Sequence, residues 1–502
     1  MFRLRERQTT FWTEVRGGLV TFLTLSYILF VQPAILSAAG MPHGDVFFAT
    51  CVCSALACFL MGLLANYPFA LAPAMGHNAF FVFAVCLGMG FAWQEALAAN
   101  MLAGLVFVAL SFLGFRQAVM HAIPNSLKYA IAVGIGLLIA FIGLQYGGIV
   151  ENQNVTLVQL GRLASPVALV ALAGIVLTSI LMARGFRAAV LIGIACTAAI
   201  ALLATYALEP TYTPPRGLEM IPAERFEARE KGEAVEPVAP DEPVRVILAE
   251  RPASCCLPSL PRTTWWAFSF RDLFANHGLV EVLLVVFIFF FLDLFDTIGT
   301  LVGVSERAGF LDREGRLPRA QWALLADAVG TVAGAAVGTS TITTYIESAA
   351  GVKEGARTGL AAIVTGALLL LSLLAWPLVQ VIGHGVRFVH ADTGSPLVQV
   401  VAGTADVIAY YPVIAPVLVV IGIMMVASVR KINWLEYDDA IPAFLTIVIM
   451  QFSLSITDGI TWGFISYTLL KVVTGRTREL HGLVVLFAVL FVAQYVARAV
   501  LM

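Results

Sequence analysis

Apolar runs of membrane-spanning length recur from one end of the sequence to the other. A helix needs about 20 predominantly apolar residues to cross a bilayer, so the pattern predicts about fourteen transmembrane helices. They occupy 17–39, 45–66, 68–89, 94–115, 124–148, 165–183, 187–208, 279–304, 319–339, 340–356, 358–383, 411–428, 440–456 and 459–474. A further run, 482–497, either spans the membrane or lies in its interface.

The composition indicates an all-α membrane protein. Of the 502 residues, 60% are hydrophobic and 12% are charged, whereas soluble domains carry roughly 25% charged residues. A net charge of −2 gives no basic field for nucleic acid. The sequence carries no zinc-like ligand cluster, phosphate-binding glycine loop or serine nucleophile motif. It therefore predicts no enzyme, no metal and no cofactor.

The distribution of lysine and arginine predicts a cytoplasmic N-terminus in the cell membrane. With that orientation, most basic residues outside one long loop fall on the inside. The short outside loops carry only Arg162 and Arg387, with Arg498 near the end. This asymmetry follows the positive-inside rule, and one missed span would reverse it for every later loop.

The long loop 209–275 divides the predicted spans into two halves of seven. Residues 209–250 are rich in Pro and Glu, so we expect an extracytoplasmic insert that is largely disordered. Because seven is odd, the second half enters the membrane with inverted topology. That layout is typical of inverted-repeat transporters.

Two aspartates interrupt one of the most apolar stretches of the chain. Asp293 and Asp296 lie in "LDLFDTIGT", directly after "VLLVVFIFFFL". One Asp at the centre of a spanning helix costs about 2.5–3.5 kcal/mol, so a polar interior has to compensate for two. Asp327, in "LLADAVGTVAG", is a further acid at membrane depth. A buried Asp that bonds a neighbouring helix would have the same pattern, and for Asp327 this alternative is equally good.

Two segments at matching positions of the halves predict broken spans. In 340–356, the β-branched "TSTITTY" favours extended chain and "ESAAG" a helix start, which sets Glu347 near the positive end of a half-helix. In 68–89, two prolines preclude a regular helix before Gly76. His77 and Asn78 follow; Asn78 is either an N-cap or a ligand group, and His77 either packs or binds. Such interrupted pairs point to a transport site.

At these residues the sequence resembles the nucleobase–cation symporter 2 family, in its adenine/guanine/hypoxanthine permease branch. The likeness rests on "GLLANYPFALAPAMGHNAFF", "LDLFDTIGTLVGVSERAG", "ALLADAVGTVAG" and "GTSTITTYIESAAGVKEGARTGL", and it covers nearly all membrane segments. The resemblance implies a core domain that moves against a gate domain in an elevator-like manner. The core would comprise 1–116 and 276–383, and the gate 117–208 and 409–475, followed by an extra apolar segment, 476–502.

The resemblance also implies roles for individual residues. Asp293 and Glu347 match the acids that hold the purine, and Asn78 matches a polar residue beside it. Asp296 matches a second important acid, and Asp327 a supporting one. The branch usually has Gly and Leu where this chain has Ala74 and His77, and both departures lie beside the implied pocket. A homodimer through the gate domain is implied as well.

The chemistry suits proton-coupled uptake of a neutral purine nucleobase. Carboxylates can accept its ring N–H and amino donors, and backbone N–H groups near Gly76 and Thr344 can donate. Phe80, Phe81 or Tyr345 can stack on the base, although packing is the commoner role of such rings. Two carboxylates one turn apart resist joint ionisation in an apolar site, so Asp293, Asp296 or Glu347 would carry the proton. The alternatives are a xanthine or uracil carrier, a channel, or a membrane scaffold.

Overall fold

The computed structural model describes most of the chain. The described residues are 2–112, 124–153, 157–215, 218–231, 235–239, 242, 244–250, 258, 260–310, 312, 317–383, 385–401 and 407–501. Helices dominate, and their positions along the chain follow the apolar runs. The first half contains α1 (Phe11–Leu25), α2 (Ile28–Ser37), α3 (His43–Leu60), α4 (Met75–Ala79), α5 (Trp93–Phe112), α6 (Asn125–Tyr146), α7 (Pro166–Ala183) and α8 (Ala189–Leu203).

The second half has a matching set of helices after two short ones. These are α9 (Phe226–Glu230), α10 (Phe270–Asn276), α11 (Leu279–Ala308), α12 (Ala320–Val337), α13 (Ser348–Lys353), α14 (Gly359–Leu371), α15 (Trp376–Gly383), α16 (Ala415–Val426), α17 (Tyr437–Ser453), α18 (Ile456–Val473) and α19 (Gly482–Leu501). π-Helical turns Met61–Ala65, Phe80–Gly88 and Ala204–Leu208 prolong α3, α4 and α8.

Eight helical segments within the described residues are long and apolar enough to cross a membrane. They include Phe11–Ser37, His43–Ala65, Asn125–Tyr146 and Gly359–Gly383. The predicted run 482–497 lies in α19, which packs against α18. Whether α19 spans the membrane, and whether the spans number fourteen, stay predictions.

The segments predicted to be interrupted each contain a short strand and a following helix. Strand β1 (Leu71–Pro73) precedes α4, and the strand Ile342–Thr344 precedes α13. The two strands pair antiparallel, with Leu71 opposite Thr344 and Pro73 opposite Ile342. Proline in the first segment and β-branched residues in the second disfavour helix, and the pairing satisfies backbone groups that a helix would otherwise bond internally.

The loop region forms more structure than its composition indicates, which corrects the expectation of a largely disordered insert. Strand β2 (Val150–Gln153) pairs antiparallel with β3 (Leu157–Leu160). Within the described residues, strands β4 (Thr211–Tyr212), β5 (Leu218–Pro222) and β6 (Val244–Ile247) join two later strands, Arg387–His390 and Pro396–Val401, in one sheet. Ile221, Val246 and Val400 are buried there. The insert cannot bury enough apolar surface alone, but strands from 387–401 supply the missing partner.

The chain divides into two compact units. The first contains 1–139, 258–374 and 422–502; the second contains 140–257 and 375–421, and therefore the sheet together with α7 and α8. The predicted core and gate boundaries are a separate division and stay a prediction.

Within the first unit, α1, α3 and α14 pack closely around small residues. A Cβ on Gly62 would lie 2.5 Å from the carbonyl oxygen of Gly359, and a Cβ on Gly18 would lie 2.6 Å from that of Ala361. Glu14 of α1, fully buried, accepts hydrogen bonds from the backbone N–H groups of Arg357 and Thr358 at 2.8 and 3.2 Å. This packing holds the start of α14 and, with it, the segment that carries Glu347.

Candidate substrate site

The paired strands β1 and Ile342–Thr344, here β7, form the frame of the candidate site. The backbone N–H of Ala74 donates to the carbonyl of Thr341 at 3.0 Å, and that of Tyr345 donates to Ala70 at 2.9 Å. The Tyr345 hydroxyl donates to the carbonyl of Pro73, and Ser348 accepts from the N–H of Ala70 at 2.9 Å. The starts of α4 and α13 are therefore fixed to each other from opposite halves of the chain.

Glu347 lies at the N-cap of α13 and is half-buried. Its Oε1 accepts a 2.8 Å hydrogen bond from the hydroxyl of Tyr27, a residue between α1 and α2 that is 5% exposed. The ring of Tyr27 lies 6.5 Å from that of Tyr345. Tyr27 was not predicted from the residue chemistry, although it belongs to a stretch, "TLSYILF", that matches the family.

Asp296 lies on α11 and is exposed, in contrast to the apolar residues before it. Its carboxyl group interacts electrostatically with Glu347, Tyr345 and Tyr27. α11 also packs against α13. Asp296, Glu347 and the two tyrosines are therefore neighbours, with Asp296 exposed and Glu347 half-buried.

Asp293 lies one turn earlier on α11 and is only 2% exposed. Its Oδ2 accepts a 3.3 Å hydrogen bond from Thr331 of α12. The carbonyl oxygen of Ile342, 3.0 Å away, competes with Asp293 for the one hydrogen of this hydroxyl, which also accepts from the N–H of Ile342 at 3.2 Å. The predicted contact of Asp293 with the base stays a prediction, and in this conformation Asp296 is the more accessible of the two acids.

Asp327 belongs to a second buried network beside β7. Its Oδ2 accepts from the hydroxyl of Thr297 at 2.9 Å, and Thr297 also shares a 2.6 Å hydrogen bond with Thr343. Thr344 donates to the backbone carbonyl of Thr297 at 3.3 Å. These bonds tie α11, α12 and β7 together, and the supporting roles of Asp327 and Thr344 in transport stay predictions.

The first strand–helix segment keeps its polar residues in the core. Asn78 is fully buried; its Nδ2 donates to Gln32 of α2 and its Oδ1 accepts from Ser340. Gln32 in turn donates to Thr339 at 2.9 Å. Asn78 thus connects α2, α4 and the chain before β7. It is not the N-cap of α4, which is Ala74, and its role as a ligand group stays a prediction.

The neighbours of Asn78 are also enclosed. His77 is 2% exposed, and neither ring nitrogen has a hydrogen-bond partner within the described part of the chain. Phe80 is fully buried and packs edge-on against Phe289, with ring centroids 4.8 Å apart. At Gly76, a Cβ would lie 3.2 Å from Ile135. The expected stacking of Phe80 on a base therefore stays a prediction.

The arrangement can bind a neutral, hydrogen-bonding ligand but offers little for an anion. Two carboxyls and two phenols lie together here, and no basic side chain among the described residues forms an ion pair or hydrogen bond with Asp296 or Glu347. Among the described residues, no group of three His, Cys, Asp or Glu side chains can hold a metal ion. Carboxylates accept hydrogen bonds only, so the ligand has to supply N–H or O–H donors.

Comparisons with known proteins bear on this site. Residues 13–388 match a family model named Xan_ur_permease and described as a permease family. The guanine/hypoxanthine permease PbuG of Bacillus subtilis (strain 168) is 39% identical over 505 residues, which cover 98% of each chain. The adenine permease AdeP of Escherichia coli (strain K12) is 36% identical over 498 residues, covering 99% of this chain and 95% of that one.

A solved structure has the same fold. The transmembrane domain of a cyanobacterium bicarbonate transporter, BicA, matches with a TM-score of 0.59 and 13% identity, over 92% of this chain and 98% of that one. At this identity the likeness concerns the fold alone. It confirms the predicted all-α, polytopic inverted-repeat fold. The relatives are permeases, which confirms the prediction of a transporter and not an enzyme.

Proposed function

This chain belongs to the permease family described by the Xan_ur_permease model, and from that membership we propose that it imports purine nucleobases together with protons. Guanine, hypoxanthine and adenine are the proposed substrates, since relatives that match almost end to end carry those names. The single observation that carries the proposal is the pair of accessible carboxyls, Asp296 and Glu347, beside Tyr27 and Tyr345.

The proposed binding mode follows from donors and acceptors. A purine presents ring N–H and, in guanine and adenine, amino donors along one edge. Glu347 can accept two of these at once, with Tyr27 holding its Oε1 in place at 2.8 Å. The ring of Tyr345, packed beside β7, offers an aromatic surface to the base. Asp293, Asp327 and Thr344 would then support the site from the buried side, and Gly76, His77 and Asn78 would support it from within the first half-helix, α4.

The proposed coupling follows from the repulsion between Asp296 and Glu347. Two neighbouring carboxylates repel each other when both are ionised, and one shared proton removes that repulsion. A proton that enters from outside therefore favours binding of the neutral base. Release inside restores the doubly ionised state. We propose that the core domain carries both across in an elevator-like motion relative to the gate domain.

Uptake measurements test this proposal. In cells that lack their own purine carriers, radiolabelled hypoxanthine uptake should fall as external pH rises, because fewer carriers hold the proton needed for binding. A protonophore should abolish accumulation. Uptake that follows a sodium gradient and ignores pH would exclude proton coupling and leave the purine proposal intact.

A panel of competing bases tests the substrate class. Unlabelled guanine, hypoxanthine and adenine should suppress uptake, whereas xanthine and uracil should compete weakly. The opposite ranking would favour the alternative of a xanthine or uracil permease. Saturation with substrate would exclude a channel, and any saturable uptake would exclude a membrane scaffold.

A further inference from the structure

A small basic cavity lies away from the candidate substrate site, near the N-terminus. It has a volume of about 230 Å³, and three arginines line it: Arg3, Arg7 and Arg319. Asn66 and Tyr67 form part of its wall. All these residues belong to the first compact unit. None of them has a part in the transport proposal.

Much of the positive charge in this cavity is not neutralised. Glu6 pairs with Arg3 at 3.4 Å, and both side chains are exposed. The guanidinium of Arg7 lies over the ring of Phe310, 5.6 Å from its centroid. Among the ion pairs of the described residues, none involves Arg7 or Arg319. One carboxylate therefore faces three guanidinium groups, which favours an anionic ligand.

The cavity wall is firmly held. The hydroxyl of Tyr67 donates to the carbonyl of Pro318, directly before Arg319, and its ring packs on Phe69 and Phe310 at 5.3 and 5.4 Å. Asn66 accepts from the N–H of Gly359 at 2.8 Å. Burial raises the pKa of the Tyr67 phenol, while Arg7 and Arg319 act on that pKa in the opposite direction. Both guanidiniums are thus close to a fixed wall residue.

Two further features add to the attraction for an anion at a membrane surface. Arg319 is the N-cap of α12, an 18-residue helix whose N-terminus carries partial positive charge. Phe11 and Trp12, which begin α1 shortly after Arg7, are 53% and 76% exposed. Exposed aromatic residues at the end of a spanning helix are typical of the membrane interface. From these rings we infer that the N-terminal end of α1, shortly after Arg7, lies near lipid head groups.

We propose that this cavity binds a phosphate group through Arg7 and Arg319, with Arg3 at its rim. The planar guanidinium group of arginine can donate two parallel hydrogen bonds to two phosphate oxygens. The ammonium group of lysine acts as a point charge and lacks this geometry. The phosphate can belong to an anionic phospholipid or to a soluble phosphate compound. This site is independent of the nucleobase proposal.

Binding to the purified full-length protein tests the proposal and identifies the source of the phosphate. One arm measures thermal stability in detergent with added phosphatidylglycerol, with phosphatidylcholine as the lipid control. The other arm titrates inorganic phosphate by calorimetry. Wild-type protein should respond in one arm at least. Arg7→Gln combined with Arg319→Gln should weaken that response tenfold or more, and each single change should weaken it less.

Arg5→Gln is the matched control, because it removes the same charge from the same segment without lining the cavity. It should bind like the wild type. Size-exclusion chromatography and nucleobase binding show whether the double variant is folded. No response of the wild type in either arm, or an equal response of a folded double variant, would overturn the proposal. Equal loss in Arg5→Gln would reduce it to general charge attraction and would overturn it too.

Discussion

The two strand–helix segments have the same backbone plan but present their polar residues differently. In the first, β1 and α4 enclose His77 and Asn78 in the core. In the second, β7 and α13 leave Glu347 half-exposed at the helix start, beside the exposed Asp296. The strands themselves pair residue by residue. An inverted repeat can thus keep one copy as a support and use the other to present chemistry.

The polar residues of the two segments also differ in their hydrogen-bond partners. Asn78 has partners on both its polar atoms, in Gln32 and Ser340, so its amide is fully used inside the protein. Glu347 has one oxygen held by Tyr27 and surroundings open to a ligand. Substitutions in the first segment should therefore act through stability, and substitutions in the second through transport. Five variants test that difference.

Glu347→Gln should have the largest effect on transport. The change keeps the shape but replaces an acceptor oxygen with a donor, so a donor edge of the base meets a donor. Uptake should fall at least about a hundredfold, equivalent to ~2.7 kcal/mol, while membrane levels and thermal stability stay near wild type. Glu281→Gln, at the first turn of α11, is the control and should transport normally. Normal uptake by Glu347→Gln would exclude Glu347 from the site.

Asp296→Asn and Asp293→Asn compare the contribution of the exposed acid to transport with that of the buried acid. Asp296→Asn should lower uptake about tenfold or more and flatten its dependence on external pH, because the repulsion that favours proton uptake is lost. Asp293→Asn should retain a hydrogen bond with Thr331 and a pH-dependent uptake. If Asp293→Asn abolished uptake in a stable protein while Asp296→Asn transported well, Asp293 would be the residue that contacts the base.

Asn78→Ala should act mainly on stability. It leaves the buried side chains of Gln32 and Ser340 short of a partner, which costs about 1–3 kcal/mol. The midpoint of thermal unfolding in detergent should fall, and uptake should fall with the amount of folded protein. The exposed Asn152, changed to Ala, is the control. A stable Asn78→Ala variant with lost uptake would show that Asn78 serves the substrate directly.

Tyr27→Phe should give the smallest change. The hydroxyl that holds Oε1 of Glu347 is lost, but the carboxylate and the ring remain. A hydrogen bond to a charged group contributes about 1.5–3 kcal/mol, part of which water can replace, so KM should rise several-fold with the maximal rate nearly unchanged. Tyr437→Phe, at an exposed tyrosine, should leave KM unchanged. A loss of maximal rate with unchanged KM would assign Tyr27 to a step after binding.

The positions of the helical segments could be predicted from the sequence, because a helix that crosses a bilayer needs a long apolar run and polar residues mark its ends. Runs 45–66 and 124–148, for example, coincide with His43–Ala65 and Asn125–Tyr146. The strand positions within 68–89 and 340–356 could also be anticipated, since proline and β-branched residues act locally. The five-stranded sheet could not, because its strands lie far apart in sequence and only pairing with 387–401 makes the polar insert fold.

The sequence predicted which residue types form the candidate site, but not which of their side chains are exposed. The energetic cost of two acids in an apolar helix predicted a functional role for them. Which of Asp293 and Asp296 faces open space depends on the rotation of α11 against α12 and β7, and the hydroxyl network of Thr331 and Thr297 decides this. Tyr27 was missed for a similar reason: a tyrosine in an apolar run has no distinguishing pattern until Glu347 lies beside it.

The pairing of β1 with β7 has a consequence for biosynthesis. Its two strands come from opposite halves of the chain, so the first waits in the bilayer for most of translation before its partner is made. During that interval, the backbone groups of 71–73 need water, another protein or a temporary helix to satisfy them. Assembly of this transporter is therefore completed late, and a truncated first half would be a substrate for insertion chaperones and membrane proteases.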